Sequence, residues 1–234
     1  MDYRIPYHWI LHQLPITGVW PLDHQVYTTR AVKLTMASNP AVVLEVGCGD
    51  GYNCGLLARQ GVRTVGFDLN SHAIRHAQAL VPTGVFHQID ITQHPADELS
   101  MDDPYNAVLA VEVIEHIKPR KLPELVAKIG DLSTRFVLTT PSANIPATNP
   151  NHYKHYTQQE IDDLLTSAGF RIVSREGYGS IMAEKRFLRW RKVFDSRFLQ
   201  LKPALRWLEK YYLKRATKSG MPDCRGYIFS AEKS

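Results

Sequence analysis

The feature that most constrains this chain is the run Val43-Leu44-Glu45-Val46-Gly47-Cys48-Gly49-Asp50-Gly51, an apolar strand carrying one acid and running into three alternating glycines. Glycine lets the backbone turn sharply and lets a ligand approach without a Cβ in the way. The helix predicted over 51–60 offers its free N–H groups to whatever sits at the turn. After Pro40, short β-branched runs alternate with helical stretches, the mark of an α/β chain with a parallel sheet and crossover helices. Predicted strands span 41–46, 63–67, 84–88, 107–111, 135–139, 170–174 and 225–231, with helices near 71–80, 122–129 and 157–168. Thr157 stands three residues before Glu160, a capping-box spacing, and Gly169 closes that helix.

The glycine turn admits more than one ligand. A dinucleotide site also places a G-x-G-x-x-G turn after its first strand. Gly47 and Gly49 fit that pattern, but its third position is Tyr52, and Glu45 puts negative charge where a pyrophosphate would sit. S-adenosylmethionine has no phosphate; its ammonium and sulfonium are cations that an acid at the turn attracts. Asp68 ends the second strand, seventeen positions after Gly51, near the spacing at which a carboxylate takes ribose hydroxyls. Asp90, in Gln88-Ile89-Asp90-Ile91, can accept the exocyclic adenine amine while an aliphatic neighbour covers the ring. Both acids also fit the plainer description of strand-end carboxylates.

Together these residues resemble, in their order along 41–174, the class I S-adenosylmethionine-dependent methyltransferases. The later motifs are Val111-Glu112-Val113-Ile114-Glu115-His116, Phe136-Val137-Leu138-Thr139-Thr140-Pro141 and the helix ending Ala168-Gly169-Phe170. The resemblance implies a Rossmann-like core: a mostly parallel seven-stranded sheet with helices on both faces. It also implies that Glu45, Gly47, Gly49 and Gly51 hold the amino-acid part of the cofactor. The full expected cofactor set is Glu45, Gly47, Cys48, Gly49, Gly51, Asp68, Leu69, Asp90, Ile91 and Val111.

Methyl transfer is an in-line displacement at a carbon already activated by sulfonium, so the protein must orient the acceptor and help remove its proton. The expected catalytic residues are Glu115, His116, His152 and His155. Glu112, Glu115 and His116 have i, i+3, i+4 spacing, so a helical turn would put them on one side. With His152 they make a two-carboxylate, two-histidine set for Mg²⁺, Mn²⁺ or Zn²⁺. That set resembles the small-RNA 3′-terminal 2′-O-methyltransferases, whose later histidine also stands five residues before a threonine, as His152 does before Thr157. It departs from them at Tyr153-Lys154-His155-Tyr156, where those enzymes carry an aromatic-acidic stretch. The same turn is similar to the ubiquinone-biosynthesis type of O-methyltransferase. A metal-free histidine base, or a purely structural pinning of the loop, accounts for the same residues.

The chain has 234 residues, enough for one domain with an appendage. The expected division is an N-terminal cap over 1–40, whose Pro6, Pro15 and Pro21 break regular structure before a helix at about 23–37, and a core over 41–234. Cys48, Cys54 and Cys224 form no paired motif, which argues against a disulfide framework or a zinc knot. No apolar run is long enough to cross a bilayer and the N-terminus lacks a secretory pattern, so a cytoplasmic protein is expected.

Charge is unevenly placed: 181–220 holds 12 Lys/Arg against 3 Asp/Glu, a local +9 where the rest of the chain carries −4. Phe187, Trp190 and Phe194 recur there at helical spacing, as do Leu205, Leu208 and Tyr212, and Pro203 separates the two predicted amphipathic helices of this insertion before the last strand. Such helices bury their stripe on the core or a second subunit, making a homodimer; they also suit an anionic membrane surface or RNA phosphates. The leading expectation is methyl transfer from S-adenosylmethionine to an oxygen, or less readily a nitrogen, of a small organic, glycan or lipid-linked acceptor. The alternatives are a metal-dependent RNA 2′-O-methyltransferase and a cofactor-binding scaffold without catalysis.

Overall fold

The computed structural model describes residues 3–11, 18–100, 104–196, 199–218 and 220–233. The sheet strands are β1 (Val42–Val46), β2 (Arg63–Asp68), β3 (Val85–Gln88), β4 (Ala107–Val111), β5 (Arg135–Pro141), β6 (Phe170–Tyr178) and β9 (Gly226–Lys233). Between the last two, β7 (Asp195–Ser196) and β8 (Leu199–Gln200) pair as a separate short hairpin. The helices are α1 (Tyr7–Leu11), α2 (Val19–Met36), α3 (Tyr52–Ala58), α4 (Ser71–Leu80), α5 (Ala96–Leu99), α6 (Leu122–Leu132), α7 (Gln158–Ser167), α8 (Ile181–Phe194) and α9 (Lys202–Ala216).

The sheet runs β3-β2-β1-β4-β5-β9-β6. Strands β1 to β5 are mutually parallel, and β9 lies antiparallel between β5 and β6. Both faces are covered, as the near-continuous apolar strands require. Side chains alternate along a strand, so Val42, Leu44 and Val46 pack with Leu125, Val126 and Ile129 of α6, while Val43 packs with Ala31 and Val32 of α2 and Leu57 of α3. Glu45 shares the face of Val43, which aims it at α3. The chain leaves β1 toward β2 and leaves β4 toward β5, so the sheet order reverses between β1 and β4. A crevice opens there beyond the strand ends, where open α/β sheets bind ligands.

Three predicted boundaries shift for identifiable reasons. Helix α2 begins at Val19 and contains Pro21, and α9 begins at Lys202 and contains Pro203. Neither proline separates elements, because the first turn of a helix has no intrahelical use for its N–H groups. Strand β9 continues to Lys233, beyond the predicted 231, because it hydrogen-bonds on both sides. Pro15 lies outside the described residues. Thr157 caps α7 with the predicted reciprocal box to Glu160. Among the described residues no helix is long and apolar enough to cross a membrane.

Candidate functional site

A cavity of about 880 Å³ fills the crevice beyond β1, β2 and β4, and both predicted sets of functional residues meet it. The half expected to take the cofactor is built on the glycine turn. Gly47 and Gly49 have φ of +67° and +53°, the left-handed region that favours glycine, and a Cβ at Gly47 would fall 2.6 Å from Val113 Cγ2. Gly49 and Gly51 do not line the cavity: Gly49 lies under the ring of Tyr3, and Gly51 caps α3 against Ala77. Glu45 is buried and accepts hydrogen bonds from Asn53 Nδ2 at 2.7 Å, Cys54 N–H at 3.1 Å and the Cys54 thiol at 3.0 Å. It therefore ties β1 to the first turn of α3. Burial outweighs those donors and pushes its pKa up to about 7.

Asp68 accepts from Gly49 N–H at 2.9 Å and Asn70 N–H at 2.8 Å. The two bonds orient its carboxylate at the end of β2, although burial still raises its pKa. Asp90 Oδ1 accepts from the Thr92 amide at 2.9 Å and its hydroxyl at 2.7 Å. Partial burial works against ionisation there, but the Thr92 donors prevail and hold the pKa below the usual value. Cys48, Leu69, Ile91 and Val111 line the cavity beside these acids.

The acceptor half is made of loops. Ile114–His116 form one turn of 3-10 helix after β4, and Glu115, His116 and His152 each bring a ligand atom within 4.8 Å of the others. Glu112 does not join them, which corrects the predicted four-ligand set. Its φ of +55° precedes the turn, and its Oε1 is held by Thr139 Oγ1 at 2.8 Å and Tyr178 OH at 2.9 Å. Burial raises the Glu112 pKa to about 7. Glu115 accepts from Thr140 Oγ1 at 3.1 Å with one oxygen, while its other oxygen is buried with no hydrogen-bond partner among the described residues. Desolvation and the charge of Glu112 push its pKa well up.

The imidazoles form a relay whose tautomers follow from its ends. His155 Nδ1 meets the Ile145 carbonyl at 3.0 Å and so carries the proton, leaving its Nε2 to accept from His152 Nδ1 at 2.9 Å. His152 Nε2 is then a lone pair, facing Asn149 Nδ2 at 3.0 Å. His116 Nδ1 likewise donates to the Asn151 carbonyl at 2.9 Å, which frees its Nε2. Burial lowers both pKa values, that of His152 to about 4 with help from its two histidine neighbours, so both rings stay neutral. His155 thus meets the cavity as a residue that orients His152.

A family model described as a methyltransferase domain matches residues 24–175. The chain belongs to the class I S-adenosylmethionine-dependent methyltransferases. A probable S-adenosylmethionine-dependent methyltransferase of Mycobacterium tuberculosis is 28% identical over 172 residues, covering 70% of this chain and 60% of that protein's length. The ubiquinone biosynthesis O-methyltransferase of Rickettsia canadensis is 28% identical over 155 residues, covering 58% of this chain and 64% of its own. Among solved structures, the magnesium protoporphyrin IX methyltransferase of Synechocystis has a similar fold, with a TM-score of 0.65 at 15% identity, covering 97% of this chain and 93% of that one.

For a methyltransferase of this family, the residues that sequence reasoning passed over sit mainly in the N-terminal segment. Asp50 is fully buried and receives His8 N–H at 3.0 Å, His8 Nδ1 at 2.9 Å and, on its carbonyl, Trp9 Nε1 at 2.9 Å. Tyr3 and Tyr7 join through their hydroxyls at 3.3 Å above the glycine turn. On the acceptor side Asp23, Arg225 and Tyr212 form a further network, with Arg225 Nε 2.8 Å and Tyr212 OH 2.6 Å from the Asp23 carboxylate. Burial lifts the Asp23 pKa to about 6 despite both partners. The aromatic richness of the first forty residues was the available signal; their destinations were not.

Proposed function

We propose that this methyltransferase transfers a methyl group from S-adenosylmethionine to an oxygen of a small, uncharged organic or glycan-type acceptor. One observation carries the reading. One cavity meets most of the expected cofactor residues and the catalytic candidates, and among the described residues its charged lining is six carboxylates (Asp23, Glu45, Asp68, Asp90, Glu112, Glu115) against one guanidinium, Arg225. Such a lining suits a cationic cofactor and repels a polyanion, even with several of the acids protonated at neutral pH. That is the argument against RNA as acceptor. Tyr7, Trp20, His24, Tyr27 and Tyr178 supply an aromatic wall for an uncharged ring. The likeness to the Rickettsia O-methyltransferases supports oxygen as the receiving atom.

S-adenosylmethionine supplies the activated methyl carbon when bound. The turn at Gly47 leaves room for close approach; Asp68 receives the ribose hydroxyls and Asp90 the adenine amine. His116 presents its free Nε2 lone pair to the acceptor hydroxyl and takes its proton as the oxygen attacks, while His152, whose own lone pair accepts from Asn149 Nδ2, packs edge-on against the His116 ring. Glu115, His116 and His152 also fit a divalent cation, because the partnerless buried oxygen of Glu115 gains a counter-charge there. Such an ion would acidify the acceptor hydroxyl.

The test incubates the protein with methyl-labelled S-adenosylmethionine and lysate separated into RNA, lipid and small-molecule pools, with and without chelator. Label in the small-molecule or lipid pool supports the reading, and its loss with chelator assigns the trio to a metal. Label in RNA overturns it, and saturable cofactor binding without labelling of any pool favours the scaffold.

A further inference from the structure

Helices α8 and α9 carry aromatic residues on two sides, and the core uses one. Phe187, Leu208 and Tyr212 are buried together with Leu22 and Val26 of α2. Trp190 is 48% exposed and Trp207 60% exposed. These two indoles occupy the same level of the molecule. Phe194 O accepts from Leu201 N–H at the hairpin tip, and Arg186 meets Tyr211 further down, so the helices are antiparallel. One turn from Arg186 toward the tip is Trp190; one turn from Tyr211 toward the tip is Trp207. Each indole is braced by a ring of its own helix, Trp190 on Phe194 at 5.7 Å and Trp207 on Tyr211 at 5.8 Å between centroids.

Exposed Met182 and Val193, within a quarter turn of Trp190 around α8, extend its apolar surface among the arginines and lysines. Below the indoles, Arg186, Arg215 and Lys218 line a groove of about 150 Å³ between the two helices. Asp223, the one acid there, is engaged by the Ser180 hydroxyl and the Met182 N–H. The groove is thus a cationic recess beside an apolar, tryptophan-bearing surface.

We propose that the α8–α9 hairpin is a peripheral binding surface for an anionic phospholipid bilayer. Trp190 and Trp207 enter the headgroup layer, where an amphipathic ring is best accommodated, and the groove receives a lipid phosphate. The local charge of +9 over 181–220, set on a chain that is −4 elsewhere, orients the molecule toward a negative surface. A second copy meeting it hairpin to hairpin brings the same positive charge and is repelled. RNA would match the charge and could stack on the indoles, but exposed Met182 and Val193 beside them gain nothing from a phosphate backbone and are accommodated by a bilayer interface, so RNA is the alternative that direct binding decides.

The experiment is sedimentation of the full chain with vesicles of phosphatidylcholine, with and without phosphatidylglycerol, alongside tryptophan emission and binding to a short single-stranded RNA. Binding at least about tenfold stronger to the phosphatidylglycerol vesicles, weakened by salt and accompanied by a blue shift, is expected. The double variant W190A/W207A should keep its circular dichroism and lose at least about tenfold in vesicle binding, because both side chains are largely solvent-exposed. R186E should lose a comparable amount. Equal binding to both vesicle types, no blue shift in the unmodified protein, or RNA binding tighter than vesicle binding overturns the proposal.

Discussion

The two halves of the cavity are built on different terms. In the cofactor half the carboxylates of Glu45 and Asp68 are held by backbone amides at the starts of α3 and α4 or in the glycine turn, so main-chain geometry fixes them. In the acceptor half the groups are held by one another: His152 by His155 and Asn149, His116 by a loop carbonyl, and Glu115 by Thr140 on one oxygen and by nothing on the other. The first half is complete before a ligand arrives. The second keeps an unsatisfied Glu115 oxygen and the Nε2 lone pair of His116, which a ligand has to complete, while the His152 lone pair is taken by Asn149.

The largest expected effect separates the two halves by pH. Glu45 and Glu112 have native pKa values of about 7 against 4.5 for an ordinary glutamate, so between those values the folded state binds more protons than the unfolded one. Stability is greatest on the acid side and falls as pH rises through that window. Glu112→Gln should flatten the fall in denaturant titrations from pH 5 to 8 without weakening the protein at pH 5, since an amide carbonyl still accepts from Thr139 and Tyr178. Glu45→Gln should destabilise even at pH 5, because both carboxyl oxygens accept from Asn53 and Cys54, protonated or not, and an amide keeps only one accepting oxygen. Equal behaviour of the two variants would break the contrast.

Next in size, Asp68→Ala should weaken cofactor binding about a hundredfold by calorimetry, since the proposed acceptor of the ribose hydroxyls is lost together with the anchor of the Gly49 amide. An unchanged affinity would remove Asp68 from the cofactor half. The smallest effect is expected at His155. His155→Ala frees the tautomer of His152 and should lower kcat about tenfold with cofactor affinity untouched, while His155→Gln, which keeps an acceptor, should recover part of it. A drop in cofactor affinity instead would mean that the relay belongs to both halves.

This contrast also explains what could be read from the sequence. The glycine turn, Asp68 and the strand pattern are local: each announces itself within a few residues, because β-branched runs and left-handed glycines are properties of short segments. The antiparallel pairing of β9 between β5 and β6 joins Pro141 to Gly226, and no short window contains both. The same distance hides His8 and Trp9 from Asp50, and Asp23 from Arg225 and Tyr212. Glu112 drops out of the predicted ligand set for a different reason. Helical spacing presumes right-handed backbone, and its φ of +55° takes it out of register with Glu115. On the α8–α9 hairpin the periodicity revealed the stripe, but only the packed structure shows that Phe187 and Tyr212 are used by the core and Trp190 is left over.

The position of β9 bears on how the chain reaches this structure. Strands β1 to β5 can assemble in the order in which they are synthesised, each beside one already made. Strand β6 cannot, because its only partner in the sheet is β9, which follows α8 and α9 in the chain. The edge of β5 therefore stays open, with unpaired N–H and C=O groups, until the basic hairpin has emerged and β9 can dock. Substitutions that slow the packing of Phe187 or Tyr212 should accordingly prolong an aggregation-prone intermediate even where the finished protein is scarcely destabilised.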